Sequence, residues 1–129
     1  MKISWEDEAF YVLEKNGFYS LVTKKAFSFG DEVCLVLGEE LIQPNRFSVQ
    51  VAENIHVHVK APVKFINHNC TGNIQLIERV FVATRAICEG EEITFNYNSS
   101  EDDLAEPFFC NNCGKLIRGR KYSKDYLKA

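Results

Sequence analysis

The chain has 129 residues, 46% of them hydrophobic, and a formal net charge of -3, which suits one domain that buries about two thirds of the surface its unfolded form exposes. Its uninterrupted apolar runs are a few residues long, far short of the about 20 that cross a bilayer, and the start MKISWEDEAF is too acidic and polar for a secretory signal. The expectation is therefore a soluble intracellular protein without a membrane partner, cytoplasmic, or nuclear if the source is a eukaryote.

In chain order, Phe18–Val22 and Val33–Leu37 are short β-rich runs punctuated by Gly17, Gly30 and Gly38, a pattern of strands and tight turns. FSVQVAENIHVHV alternates apolar and polar residues on both sides of Ala52–Asn54 and predicts a hairpin. Further strands are predicted at Ile74–Ile77, Val80–Thr84 and Ile93–Phe95. One short helix is predicted in SSEDDLAEP, with Ser99 or Ser100 as N-cap, acidic residues in its first turn and Pro107 after its end. The sum is a mostly β domain of many short strands. With no βαβ alternation and no G-x-G-x-x-G turn, a doubly wound nucleotide-binding fold is excluded.

Five cysteines, Cys34, Cys70, Cys88, Cys110 and Cys113, form an odd set that favours reduced thiols or metal ligands over a disulfide framework. Charge is uneven: residues 1–114 carry 9 basic and 17 acidic side chains, residues 115–129 carry 6 and 1. An acidic body attracts a basic partner, although solvated surface charge explains the same count. His56 and His58 alternate on a predicted strand and share a face, where packing explains them better than metal binding.

The chemistry concentrates in FINHNC and GEEITFNY. Asn67 offers an acceptor and donors that could fix the amino or carboxylate group of a zwitterionic ligand, and His68 adds a backbone contact and a flat ring. KFINHNCTGN (Lys64–Asn73) resembles the R-F-x-N-H-S-C-x-P-N signature of SET-domain protein-lysine methyltransferases, and GEEITFNY (Gly90–Tyr97) resembles their G-E-E-L-T-F-D-Y. TKKAFSFGDEV (Thr23–Val33) and EPFFCNNCG (Glu106–Gly114) are similar to the segments that precede and follow these motifs in the family. The likeness runs over about residues 15 to 122.

The resemblance implies a β-clip-like SET fold of several short sheets with a knot-like crossing and few short helices, residues 1–107 forming the SET domain and 108–129 a post-SET-like segment. It implies S-adenosylmethionine as cofactor, held by Asn16, Gly17, Phe18 and Tyr19, by Asn67 through its side chain, by His68 through its backbone, and by Phe108 against the adenine. Tyr97 would then be the central catalytic residue. Phe95, where the family carries Phe or Tyr, would set the methyl number and favour di- or trimethylation. Cys70, Cys110 and Cys113 match three of the family's four zinc thiolates, with Ile117 near the place of the fourth. The family's G-x-G is replaced by KNGFYSL, where Ser20 is tolerated if its φ is negative, and Lys64 keeps the charge of the usual arginine without its planar fork. Asn69, Gly72 and Asn96 read as mild replacements.

The partner implied is a protein with an accessible lysine, a histone or another lysine-rich chain, and a homodimer could complete the substrate groove. Two other readings stay open. One is a SET-like module that binds peptide or cofactor without turnover. The other is a small zinc-linked nucleic-acid contact made from CNNC and KLIRGRKYSK, the less favoured because only one cysteine pair is local.

Overall fold

Turns of two residues join three of the strand pairs in the computed structural model, which describes residues 2–110 and 112–120; residues 121–129 of the expected C-terminal segment lie outside it. β1 (Lys2–Glu6), β2 (Phe10–Lys15) and β3 (Phe18–Thr23) form an antiparallel sheet in that order. Between β2 and β3 stand only Asn16 and Gly17, at φ 53° and 81°, the residue pair and positive angles that a two-residue hairpin needs. The register sets Val12 opposite Leu21, both fully buried. Each such side chain contributes about 1.5–3 kcal/mol.

β4 (Glu32–Leu35), β10 (Val80–Ala83) and β9 (Ile74–Ile77) make a second sheet, and β5 (Gly38–Leu41), β7 (Ile55–Val59) and β6 (Ser48–Ala52) a third. The predicted hairpin is the β6–β7 pair, with Ala52 opposite Ile55 and Asn54 at φ 58° in the turn. The strand expected at Val33–Leu37 stops at Leu35, since the Val36 N–H turns to the Arg79 carbonyl at 2.8 Å. Phe81, fully buried, stacks toward Phe95 with centroids 4.9 Å apart and ties the second sheet to the centre of the molecule.

Two very short pairs complete the architecture. β8 (Asn67–His68) runs parallel to β11 (Thr94–Phe95), and β12 (Phe108–Phe109) is antiparallel to β13 (Leu116–Ile117). Helical structure among the described residues is limited to 3-10 turns at Val63–Phe65 and Tyr97–Ser99. The helix predicted in SSEDDLAEP does not form. Asn96 caps the short turn by accepting from the Asn98 N–H, and the acidic side chains that would have lined a first helical turn reach across to β6. The Glu101 carboxylate accepts from the Gln50 N–H at 2.6 Å and the Asp102 N–H donates to the Gln50 side chain at 2.7 Å. Hydrogen bonding of Glu101 and Asp102 to Gln50, a partner distant in the chain, replaces the helix here.

Candidate active site

The two motif stretches meet through their backbones. In the β8–β11 pair Thr94 lies opposite Asn67 and Phe95 opposite His68. The chain then curls back: the Asn69 N–H donates to the Phe95 carbonyl at 3.1 Å and the Asn73 N–H to the Thr94 carbonyl at 2.9 Å. Asn73, 2% exposed, locks the crossing by donating to the Glu92 carbonyl at 2.8 Å and accepting from the Thr94 N–H at 3.0 Å. Gly72 is more than a mild replacement. A Cβ there would stand 2.5 Å from Phe95 Cα and 2.7 Å from the Thr94 carbonyl oxygen, so the close approach of these backbones requires glycine.

This crossing delivers His68 and Tyr97 to one place. The Tyr97 N–H donates to His68 Nδ1 at 3.0 Å, which makes Nδ1 an acceptor and puts the ring proton on Nε2. Burial pushes the imidazole down to about 4, so it is neutral at physiological pH. Its Nε2 is buried with no hydrogen-bond partner among the described residues. The rings of His68, Tyr97 and Phe108 meet edge to face with centroids 5.3 to 5.7 Å apart, and Phe95 lies 4.9 Å from the Tyr97 ring on the other side. The Tyr97 hydroxyl donates to the Ile66 carbonyl at 2.5 Å. Burial first, then the charges of Glu101 and Glu92, push the phenol above its ordinary range. It therefore stays protonated, with lone pairs free to face a ligand.

A cleft of about 1310 Å³ opens over these rings. Gly17, Phe18, Tyr19, Asn67, His68, Phe95, Tyr97 and Phe108 all contribute to its wall. Asn16 is not on the wall; it shapes the turn that presents Gly17 and Phe18. Ser20 is outside the set of positive-φ residues, so it needs no glycine. Asn67 Nδ2 donates to the Tyr19 carbonyl at 2.6 Å and to Glu92 Oε2 at 2.9 Å, which fastens β8 to β3. Lys64 lies over the rings of Phe47 and Phe65 at 5.3 and 5.0 Å, a stacking that an ammonium makes without a planar fork.

The Cys70, Cys110 and Cys113 sulfurs lie within 4.8 Å of one another. Thiolates on one tetrahedral zinc stand about 3.8 Å apart, so the three residues fit a metal after a small contraction. Burial pushes Cys110 up, but hydrogen bonds from the Cys113 and Asn112 backbone hold it down to about 7. Lys115 pulls Cys113 down, yet burial and the neighbouring thiols leave it raised. Asn112 donates its side-chain N–H to the Cys70 sulfur at 3.0 Å. His56 and His58 are not part of this cluster: His56 is buried at 6% exposure and His58 pairs with Asn45 at 3.0 Å.

The sequence reading missed Glu92, Glu101, Asp102 and Gln50. Glu101, only 4% exposed, lies on the wall of the same cleft as Tyr97. Gln50 also donates to Asp102 at 2.8 Å, and Arg120 pairs with Asp102 at 2.5 Å. The partners lie some 50 positions apart along the chain, so no local spacing could have announced them.

Among characterised proteins the chain resembles Methyltransferase flvH of Aspergillus flavus, at 30% identity over 80 residues that cover 56% of this chain and 45% of that protein. The chain thus spans less than half the length of that relative. The fold is shared with a humanized mutant of the Chaetomium thermophilum Polycomb Repressive Complex 2 bound to the inhibitor GSK126, at a TM-score of 0.55 and 19% identity, over 86% of this chain and 18% of that one. The SET domain family model matches residues 5–98. With the motif crossing in place and most of its length matched, the chain belongs to the SET-domain family.

Proposed function

We propose that the protein is a methyltransferase that moves methyl groups from S-adenosylmethionine to a lysine side chain of a basic protein. The observation that carries this reading is the β8–β11 register, which sets the His68 ring against Tyr97 and opens both to one cleft. Family membership and the methyltransferase name of the Aspergillus flavus relative support group transfer. The chemistry of the cleft supports an amine as acceptor.

A lysine ammonium has an ordinary pKa of about 10.4, so near pH 8 its neutral form costs about 3 kcal/mol. Burial among Phe95, Tyr97, His68 and Phe108 disfavours the cation. The protonated Tyr97 hydroxyl, fixed by Ile66, orients the entering amine and stabilises developing charge rather than acting as a base. The cofactor would be held by Gly17, Phe18, Tyr19, Asn67, His68 and Phe108, and it supplies the activated methyl group. The buried, unpartnered His68 Nε2 is a donor that fits a polar ligand there. Phe95 brings no hydroxyl that would crowd the amine, which favours di- or trimethylation. Zinc on Cys70, Cys110 and Cys113 would be structural, pinning the segment that carries Phe108 over the cleft.

One observation favours a non-catalytic binding module instead. Both N–H groups of Asn67 are already engaged by Tyr19 and Glu92, so cofactor must be met through Oδ1 or displace a bond. Calorimetry with S-adenosylmethionine, followed by transfer of labelled methyl to a lysine-rich protein, separates the two. Binding with transfer is the expected result; binding without transfer would establish the module.

A further inference from the structure

We propose that Glu101 is the proton acceptor for the incoming amine, an inference that rests on the lysine-methylation reading and adds a residue to it. Glu101 follows Tyr97 by four positions and its N–H donates to the Tyr97 carbonyl at 2.9 Å. The side chain is 4% exposed yet contributes to the wall of the cleft. Its two hydrogen bonds, from the Gln50 N–H at 2.6 Å and the Ser100 hydroxyl at 3.1 Å, both fall on Oε2. Oε1 takes part in neither. A buried carboxylate that lines the same cleft as Tyr97 and acts on the charge of its phenol, with one oxygen free of those bonds, is a group that a desolvated ammonium entering the cleft can meet.

The charges around it are balanced against a permanent ion pair. Asp102 lies next in sequence but is held by Arg120 of the tail and by Gln50 of β6. His56 of β7 faces Asp102 and is kept neutral by burial. The Tyr97 phenol feels the charges of both Glu101 and Glu92. Burial first, then Asp102, push Glu101 up, and it settles at about 7 despite the bonds from Gln50 and Ser100 and the opposing charge of Arg120. The step is a single transfer: an ammonium N–H bond breaks, the proton bonds to the Glu101 carboxylate, and a neutral amine and a neutral carboxylic acid remain. In a dry site the neutral pair is favoured over two separated charges. The proton later leaves Glu101 to solvent.

Glu101→Gln tests this, because the amide oxygen can still accept from Gln50 while the basic site is gone. In the wild type, kcat/KM on a lysine peptide should rise as pH climbs to about 7 and then level off. The variant should turn over at least about tenfold more slowly, and its kcat/KM should keep rising toward the solution pKa of the amine. Equal rates and the same profile in the two proteins would overturn the proposal and leave Glu101 a purely structural acceptor. Ser100→Ala gives a second reading should Glu101→Gln fold poorly: losing a donor to the carboxylate should move the wild-type break to higher pH, and an unmoved break contradicts the proposal. Absence of transfer by the wild type itself would instead remove the underlying lysine reading, and this step with it.

Discussion

The crossing at the centre and the cysteine-bearing tail differ in how much of each rests on backbone pairing and how much on side-chain chemistry. At the centre, residues 67–73 and 92–97 are joined by backbone pairing, by the buried Asn73 amide and by a glycine against a backbone. The tail has a strand pair of two residues, with Phe109 at 70% and Leu116 at 45% exposure; it is joined to the body by a few backbone bonds, Leu104 to Arg118 and Arg120 to Glu101, by Gly119 against the Asp102 backbone and by an Arg120–Asp102 pair, and it brings Cys110 and Cys113 to Cys70. The centre would persist whatever binds it. The tail depends on side-chain chemistry that metal, pH and salt can change, and it carries Phe108, one of the rings over the cleft.

Perturbing the centre should have the largest effect. Gly72→Ala places a methyl against the Phe95 and Thr94 backbone, and should cost about 2–3 kcal/mol in urea unfolding with an unchanged m-value; a loss below about 0.5 kcal/mol would mean that the crossing yields easily. Tyr97→Phe removes the hydroxyl that Ile66 orients, and should lower kcat at least tenfold, about 1.4 kcal/mol in the barrier, with donor affinity nearly intact. Retained turnover would take Tyr97 out of the chemistry.

Smaller effects probe electrostatics and the tail. His68 is pushed down in the fold by burial, so the unfolded ring binds a proton that the folded ring refuses. Its contribution is complete above about 6.5, the ordinary histidine value, and is lost as pH falls toward about 4. The stability difference between wild type and His68→Asn should therefore shrink across that window; a constant difference would deny the burial of the ring. Cys113→Ser, at an exposed position, should abolish zinc uptake followed by a chromogenic chelator while shifting metal-free stability by no more than about 0.5 kcal/mol. Unfolding of the whole domain on that change would show that centre and tail are not separable.

How much was legible follows the same division. Apolar–polar alternation predicted the β6–β7 hairpin, although the neighbours Val49 and Gln50, and His56 and Val57, are all buried, and the strand expected at Ile74–Ile77 forms with those bounds. The motif pair pointed to Asn67, His68, Phe95 and Tyr97, which line one cleft. Gly72 reads in the sequence as a mild replacement, because the need for glycine comes from a backbone more than 20 positions away. SSEDDLAEP was misread as a helix, since its capping signals were local and its actual partner, Gln50, is not. Strand pairs as short as β8 and β12 carry no periodicity at all.

The central claim, that the crossing assembles a lysine-methylating cleft around Tyr97, is tested most directly by mass spectrometry of a lysine-rich protein incubated with isotopically labelled S-adenosylmethionine and either wild type or Tyr97→Phe. Labelled methyl groups on lysine with the wild type, and at least tenfold fewer with the variant, are the predicted result. Labelled donor bound without any labelled lysine, or equal labelling by the two proteins, would contradict it.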